Sequence, residues 1–367
     1  MKKNILILTH DWGGGTERFL NDYISSLVLY NVHILRPEII NNELVYIFTD
    51  MQTGKKSGYI YNHLLSAEDL VEKVRELKID EIFINHLITF DLGLIVQFII
   101  TIELPFTFFL HDYHCICHNF RLTCGQKYCK DLKNNICNKP FSEGDNINVY
   151  QHVWRILLEK AENIISPSSY AAEIFRKNYP GIPIQVKPHN IMLPLSYTFD
   201  ECNIKMQEKL NIVFLGTMDK DKGLDYIIKI DDYVSKNHLP INVILLGEIN
   251  ADKKKRKLNN IKITGKYKAE DVSILLRDLK TSLVGVLSTW AETYCYTASE
   301  AILSGYPVLS FDIGAHADRI KKYNCGWILP LEYDNALFDW LEYIVTPQGR
   351  ENIIKKSRNT RLFINGT

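Results

Sequence analysis

Short apolar runs alternate with amphipathic stretches along the chain. Runs at 5–8, 44–49, 81–84, 106–110 and 163–165 read as strands of a first half, with 185–188 closing that sheet. Runs at 211–215, 242–246, 261–263, 281–287 and 307–311 read as strands of a second half. Between them, 67–77, 170–178 and 222–237 repeat apolar residues at helical spacing. Such strand–helix–strand repetition predicts parallel sheets with both faces covered. Periodicity is lost at 194–209, and a fresh strand begins at Asn211. The expected architecture is α/β, with two Rossmann-like, doubly wound domains over 1–200 and 206–345. Such sheets bind ligands at the carboxyl ends of their strands, so the expected site is a cleft between the halves. A last helix over 346–367, with an apolar stripe of Ile353, Ile354 and Leu362, is expected to cross back to the first domain.

The most apolar stretch, 92–110, contains Gln97, Glu103 and Pro105. It reads as a buried helix followed by a buried strand, not as a membrane span. Thr9-His10-Asp11 cuts the first apolar run after four residues, too short for a secretory core, so a cytoplasmic protein is expected. Lys+Arg and Asp+Glu both number 43, and zero net charge argues against nucleic-acid binding through a broad basic field. A chain of 367 residues buries enough apolar surface to fold without disulfides. Its eight cysteines therefore read as thiols or metal ligands.

Four motifs carry candidate chemistry. Gly13-Gly14-Gly15-Thr16-Glu17 follows the first strand, where glycines let a backbone approach a ligand and a helix start favours anions. It matches neither G-x-G-x-x-G nor a P-loop, and a plain tight turn explains it as well. Leu215-Gly216-Thr217-Met218-Asp219-Lys220-Asp221-Lys222-Gly223 follows the first strand of the second half, with Lys222 a candidate phosphate partner or a solvated lysine. Glu292 and Glu300 flank Tyr294, Cys295, Tyr296 and Thr297, with a helix expected over 297–304 and ended by Gly305. Two carboxylates there suit the hydroxyls of sugars and riboses; two solvated glutamates are the plain alternative. His111-Asp112-Tyr113 closes the 106–110 strand, either facing the cleft or satisfied within its loop.

In this order the motifs resemble retaining glycosyltransferases of family four, which have the GT-B fold. Ile164-Ile165-Ser166-Pro167-Ser168 resembles the family's strand-end turn, and Asp312-Ile313-Gly314-Ala315 resembles its D-x-G-G loop. The resemblance spans residues 5 to about 327. It implies that Glu292 holds the donor sugar, Glu300 the nucleotide ribose and His111 the sugar. It also implies that Gly14, Gly15, Gly216 and Thr217 line the donor, and that Lys222 and the amides of residues 294–297 meet its diphosphate. The family's usual arginine is replaced at or near Thr217, with Lys220 or Arg319 as candidate substitutes. Catalysis then falls to His111, Glu292 and Lys222, with no cofactor required. The expected reaction moves a sugar, with retention, from a nucleoside-diphosphate sugar to a glycan or lipid-linked acceptor in surface polysaccharide synthesis. Peripheral attachment at the inner face of the membrane would suit such an acceptor. A nucleotide-sugar epimerase, or a degenerate nucleotide-sugar-binding protein, is the alternative.

The insertion at 111–144 holds Cys115, Cys117, Cys124, Cys129 and Cys137 within 23 residues. A subgroup of the resembled family carries comparable cysteines after its H-D-Y segment. Four of the five would make a closed structural zinc site; reduced thiols are the plain alternative.

Overall fold

The computed structural model describes residues 2–60, 65–124, 127–129, 147–191, 195–250, 260–331 and 333–365. It divides into two compact units: Met1–Leu122 with Asn135–Ile191, and Thr123–Asn134 with Met192–Thr367.

The first unit is built on an eight-stranded sheet. Its strands are β1 (Lys3–Leu8), β2 (Tyr30–Ile40), β3 (Glu43–Asp50), β4 (Lys56–Ile60), β5 (Glu81–Ile84) and β6 (Phe106–Phe109). A small hairpin, β7 (Thr123–Cys124) and β8 (Lys127–Tyr128), follows before β9 (Asn163–Ser166) and β10 (Gln185–Val186) complete the large sheet. The order is β10-β9-β6-β5-β1-β2-β3-β4. From β10 to β2 all neighbours are parallel, as the alternation predicts. The expected all-parallel sheet is corrected at the far edge, where β2–β3 and β3–β4 are antiparallel. The cause is local: Asn41 and Asn42 both take positive φ (52° and 65°) between the paired Ile40 and Glu43. That is a two-residue hairpin of the kind asparagine tolerates.

One face of the central strands offers Ile5, Ile7, Val32, Ile34, Phe83 and Phe109 to Leu20 of the helix Gly14–Ser26. The helix Leu92–Ile102, apolar nearly all round, buries Leu94, Ile95, Val96, Phe98 and Ile99. It is followed by the buried strand β6, as the sequence predicts. Among the described residues no helix is long and apolar enough to cross a membrane.

The second unit holds six strands: β11 (Leu210–Met218), β12 (Ile241–Ile249), β13 (Lys262–Ile263), β14 (Leu283–Val286), β15 (Val308–Phe311) and β16 (Gly326–Leu329). Their order is β13-β12-β11-β14-β15-β16, all parallel. The chain thus winds one way from β11 and then the other, so its switch point lies at the carboxyl end of β11.

The closing helix groups with the second unit. Pro347–Ile364 packs on the helices Tyr296–Leu303, Glu201–Met206 and Asp334–Ile344. Its buried stripe includes Ile353, Ile354, Ser357 and Phe363, with Leu362 left exposed. Ser357 donates to the carbonyl of Gly305 at 2.6 Å and pairs with the Tyr197 hydroxyl at 2.9 Å.

Candidate active site

In the second unit the switch point is built by glycines. Gly216 (φ 103°) and Gly247 (φ 145°) lie side by side at the ends of β11 and β12. A Cβ on Gly247 would fall 1.9 Å from the Gly216 carbonyl oxygen, so no larger residue fits. The loop then turns through Asp219, whose carboxylate accepts the Lys222 amide at 2.9 Å. Gly223, at φ 84°, opens the helix Leu224–Lys236.

The loop after β14 is tied to this turn. Thr289 donates its amide to the Asp221 carbonyl at 2.8 Å. Glu292 is held from the other side by Gly314 and Ala315, with the Ala315 amide donating to the Glu292 carbonyl at 2.8 Å. A Cβ on Gly314 (φ 82°) would sit 2.8 Å from the Glu292 nitrogen. The Glu292 carboxylate accepts from the Ser288 hydroxyl and interacts with His316 and Lys222. Burial pushes its pKa up, but His316, Lys222 and Ser288 outweigh that, and the pKa falls below the ordinary glutamate value. Lys222 and Glu292 thus act on one another electrostatically.

Cys295, at φ 66°, precedes the helix Tyr296–Leu303, which begins one residue before the expected start and ends ahead of Gly305 (φ 92°). Burial, with the Glu292 carboxylate adding to it, pushes the Cys295 thiol above its ordinary value. Thr297 faces Gly216 across the switch point, its Cγ2 3.8 Å from where a Gly216 Cβ would be. Glu300 is buried within the helix. Thr217 is exposed. Arg319 donates to the Ser299 hydroxyl and, at 3.1 Å, to the Tyr294 carbonyl, while lying 4.6 Å over the Tyr294 ring. Its guanidinium braces the start of this helix.

The first unit gathers a second cluster. In the loop after β1, Gly13 (φ 74°) and Gly14 (φ 73°) open the helix Gly14–Ser26, with Gly15 inside it. Nothing lies within 4 Å of a Cβ built on Gly13 or Gly14. Glu17 is paired with Arg36 at 3.1 Å and so serves the fold. Adjacent strands β1, β5 and β6 each place a histidine two residues past their end: His10, His86 and His111. Only His111 was anticipated from sequence.

His86 accepts the Ile88 amide on Nδ1 at 3.1 Å, so its Nε2 proton points to Asp112, 2.9 Å away. Burial opposes the Asp112 charge, but His86 and the His114 amide hold its pKa below the usual value. His10 is pushed down to about 4, first by burial and then by His86. His111 lies among Phe19, Phe109 and His189, with ring centroids 4.7, 6.1 and 5.5 Å away. Burial holds its pKa well below the ordinary value.

Of the proposed zinc ligands, Cys115, Cys117 and Cys129 are buried, and burial pushes the Cys115 thiol well up. The Cys124 side chain and Cys137 lie outside the described residues. Among the described residues no three His, Cys, Asp or Glu side chains form a metal site. The described residues therefore do not by themselves fit a zinc ion. His316 and Ser288 were not anticipated either.

Among curated proteins, none matches the chain in sequence. Solved structures do match in fold. A sucrose-phosphate synthase from Thermosynechococcus elongatus is 14% identical, with a TM-score of 0.67, covering 100% of this chain and 94% of that one. HepE of Anabaena, solved with UDP, is 14% identical with a TM-score of 0.64, covering 99% and 94%. WaaG, a glycosyltransferase involved in lipopolysaccharide biosynthesis, is 16% identical with a TM-score of 0.64, covering 99% and 95%. Residues 199–360 match the family described as glycosyl transferases group 1, on a chain whose two Rossmann-like units make the GT-B fold.

Proposed function

We propose that the protein transfers a sugar from a nucleoside-diphosphate sugar, with retention, to a glycan or lipid-linked acceptor in surface polysaccharide synthesis. The observation that carries this reading is the pairing of two loops at the second unit's switch point. There the Asp221 carbonyl accepts the Thr289 amide at 2.8 Å, which ties the loop that carries Lys222 to the loop that carries Glu292, and the two side chains act on one another electrostatically.

The chemistry follows from charge. Breaking the anomeric C–O bond builds positive charge on the sugar and negative charge on the leaving diphosphate. Lys222 and the amides opening the helix Tyr296–Leu303 would meet the diphosphate. Glu292, fixed by Ser288 and by Ala315, would orient sugar hydroxyls, and Glu300 the ribose. His111 would touch the transferred sugar. Attack on the face the diphosphate leaves accounts for retention, and no step calls on a metal. The acceptor is assigned to the first unit, working at the cytoplasmic face of a membrane.

A thermal-shift screen against UDP-, GDP- and dTDP-sugars tests the reading. A true donor at about 100 times its Kd adds about 2.7 kcal/mol of stability. No shift with any of them would remove the proposal. A second reading, binding without turnover, draws on one observation: Thr217 stands where the resemblance implies an arginine, and Arg319 is committed to Tyr294 and Ser299. Hydrolysis or transfer assays with the donor that binds separate the two.

A further inference from the structure

The chain enters the helix Tyr296–Leu303 through a left-handed residue that is not a glycine. Cys295 stands there at φ 66° and ψ 89°. A side chain in that conformation is strained, and it persists only where its surroundings determine both flanks. Arg319, from the neighbouring helix Gly314–Tyr323, holds them both. One nitrogen of its guanidinium donates to the Tyr294 carbonyl at 3.1 Å, just before Cys295. The other donates to the hydroxyl of Ser299, in the first turn of the helix. The Tyr294 ring, 4.6 Å away, and the Phe363 ring of the closing helix, 5.7 Å away, fix the guanidinium itself.

The charge of Arg319 is a separate observation. A carbonyl, a hydroxyl and two rings are its partners, and all are neutral. His316 and Cys325 feel its charge, and burial keeps both neutral at pH 7. Among the described residues no carboxylate forms an ion pair with it. The side chain is half-buried, so water makes up only part of what a carboxylate would supply. It is also bonded to the start of a helix, where the dipole is positive and a cation is disfavoured. An anion held at this helix start would relieve both costs.

We propose that Arg319 is a positioning residue for a diphosphate: it fixes the turn at Cys295 that opens the helix Tyr296–Leu303, and its unpaired charge acts on the anion through that turn without touching it. The identity of the anion rests on the nucleotide-sugar reading above. Arg319 thereby supplies, from a different helix, a positive charge that the loop at Thr217 lacks. A lysine could supply the charge but not the two diverging bonds to Tyr294 and Ser299.

Calorimetric titration of the full chain with UDP, GDP, dTDP, their monophosphates and nucleosides, and inorganic pyrophosphate tests this. Arg319→Met keeps the length but neither the charge nor the donors. It should weaken pyrophosphate and the diphosphate that binds by about 5- to 30-fold, the effect of one charge acting at a distance in a partly screened site. The loss should shrink for the monophosphate, and the nucleoside should stay within about twofold of wild type. A purely structural brace would weaken all three alike, because the same helix carries Glu300. Arg319→Lys should recover part of the diphosphate loss, since the charge returns while the fork does not. If Arg319→Met does not fold, Arg319→Gln, which keeps a donor but no charge, should show the same gradient. Equal losses along the series, an unchanged diphosphate affinity, or a lysine variant no better than the neutral one would overturn the proposal and leave the sugar-transfer reading standing. A wild type that binds neither pyrophosphate nor any of the diphosphates would overturn both. A graded loss in a protein that transfers no sugar from UDP-glucose, GDP-mannose or dTDP-glucose would retain the role of Arg319 and reject the transfer reading.

Discussion

The α-carbon of Gly223 lies so close to Leu287 that a Cβ built on it would fall 2.2 Å from the Leu287 carbonyl oxygen. This contact seats the loop bearing Lys222 against the loop that runs through Ser288 to Glu292. Gly223→Ala meets both that backbone and an unfavourable φ of 84°. The expected loss is about 2–4 kcal/mol, from about 1–3 for overpacking and about 1 for the left-handed backbone. Gly13→Ala has a similar φ but open space around its Cβ, so it should lose only about 1 kcal/mol. Urea unfolding of the two variants checks this; equal losses would mean that the Leu287 contact yields easily.

The two glutamates should separate kinetically. Glu292→Ala should mainly lower kcat, because sugar orientation counts most at the transition state. Glu300→Ala should mainly raise the donor KM, because ribose contacts persist through the reaction. Steady-state kinetics with the donor found by thermal shift decide this. A kcat for Glu292→Ala within about twofold of wild type would refute the assignment.

Lys222→Ala should reduce kcat/KM by about 10- to 150-fold, the loss of a charged hydrogen bond worth about 1.5–3 kcal/mol. A solvated lysine would cost within about 0.5 kcal/mol. Glu292 and Lys222 interact, so the double variant should fall short of the sum of the singles.

Strand–helix alternation made the two parallel sheets legible, because buried parallel strands leave continuous apolar runs. The β2–β4 edge was not, since a hairpin turned by Asn41 and Asn42 has only two residues to announce it. In the second unit Lys222, Glu292 and Glu300 stood out because glycine and proline punctuate their loops. His10, Asn85 and His86 did not, although a signal existed. Leu8-Thr9-His10 and Ile84-Asn85-His86 both end an apolar run with a polar pair, as Leu110-His111 does with its histidine. His316 carried no such signal: only the approach of Gly314 to Glu292 places it near the carboxylate.

Zinc content remains a prediction from the cysteine spacing. Protein purified without chelator should carry one zinc per chain, with Cys124 and Cys137 completing what the described cysteines do not supply. A closed four-ligand site would be structural, leaving no open position for water. Elemental analysis giving less than about 0.2 zinc per chain, with reactive thiols, would favour plain cysteines.

Acid should destabilise the protein well above the pH at which its carboxylates titrate. His316 is fully buried, and its pKa is pushed down to about 4, first by burial, with Glu292 pulling the other way and Arg319 adding to the fall. In the unfolded chain its pKa is 6.5. Between those values the unfolded state binds a proton that the folded state does not, so stability rises with pH across that window and falls on acidification. At about 1.36 kcal/mol per pH unit, His316 alone should account for a loss of about 3 kcal/mol between pH 6.5 and 4. His10, also pushed down to about 4, should act in the same direction. Glu292 and Asp112, both held below their ordinary values, contribute stability that is lost only at lower pH, as they take up protons. His316→Leu should therefore flatten the pH 6.5-to-4 limb by about 3 kcal/mol while leaving the steeper loss below it in place. Urea unfolding at half-unit pH steps on both proteins measures the difference. Parallel curves would show that the His316 ring already takes up its proton in the folded state near pH 6.5.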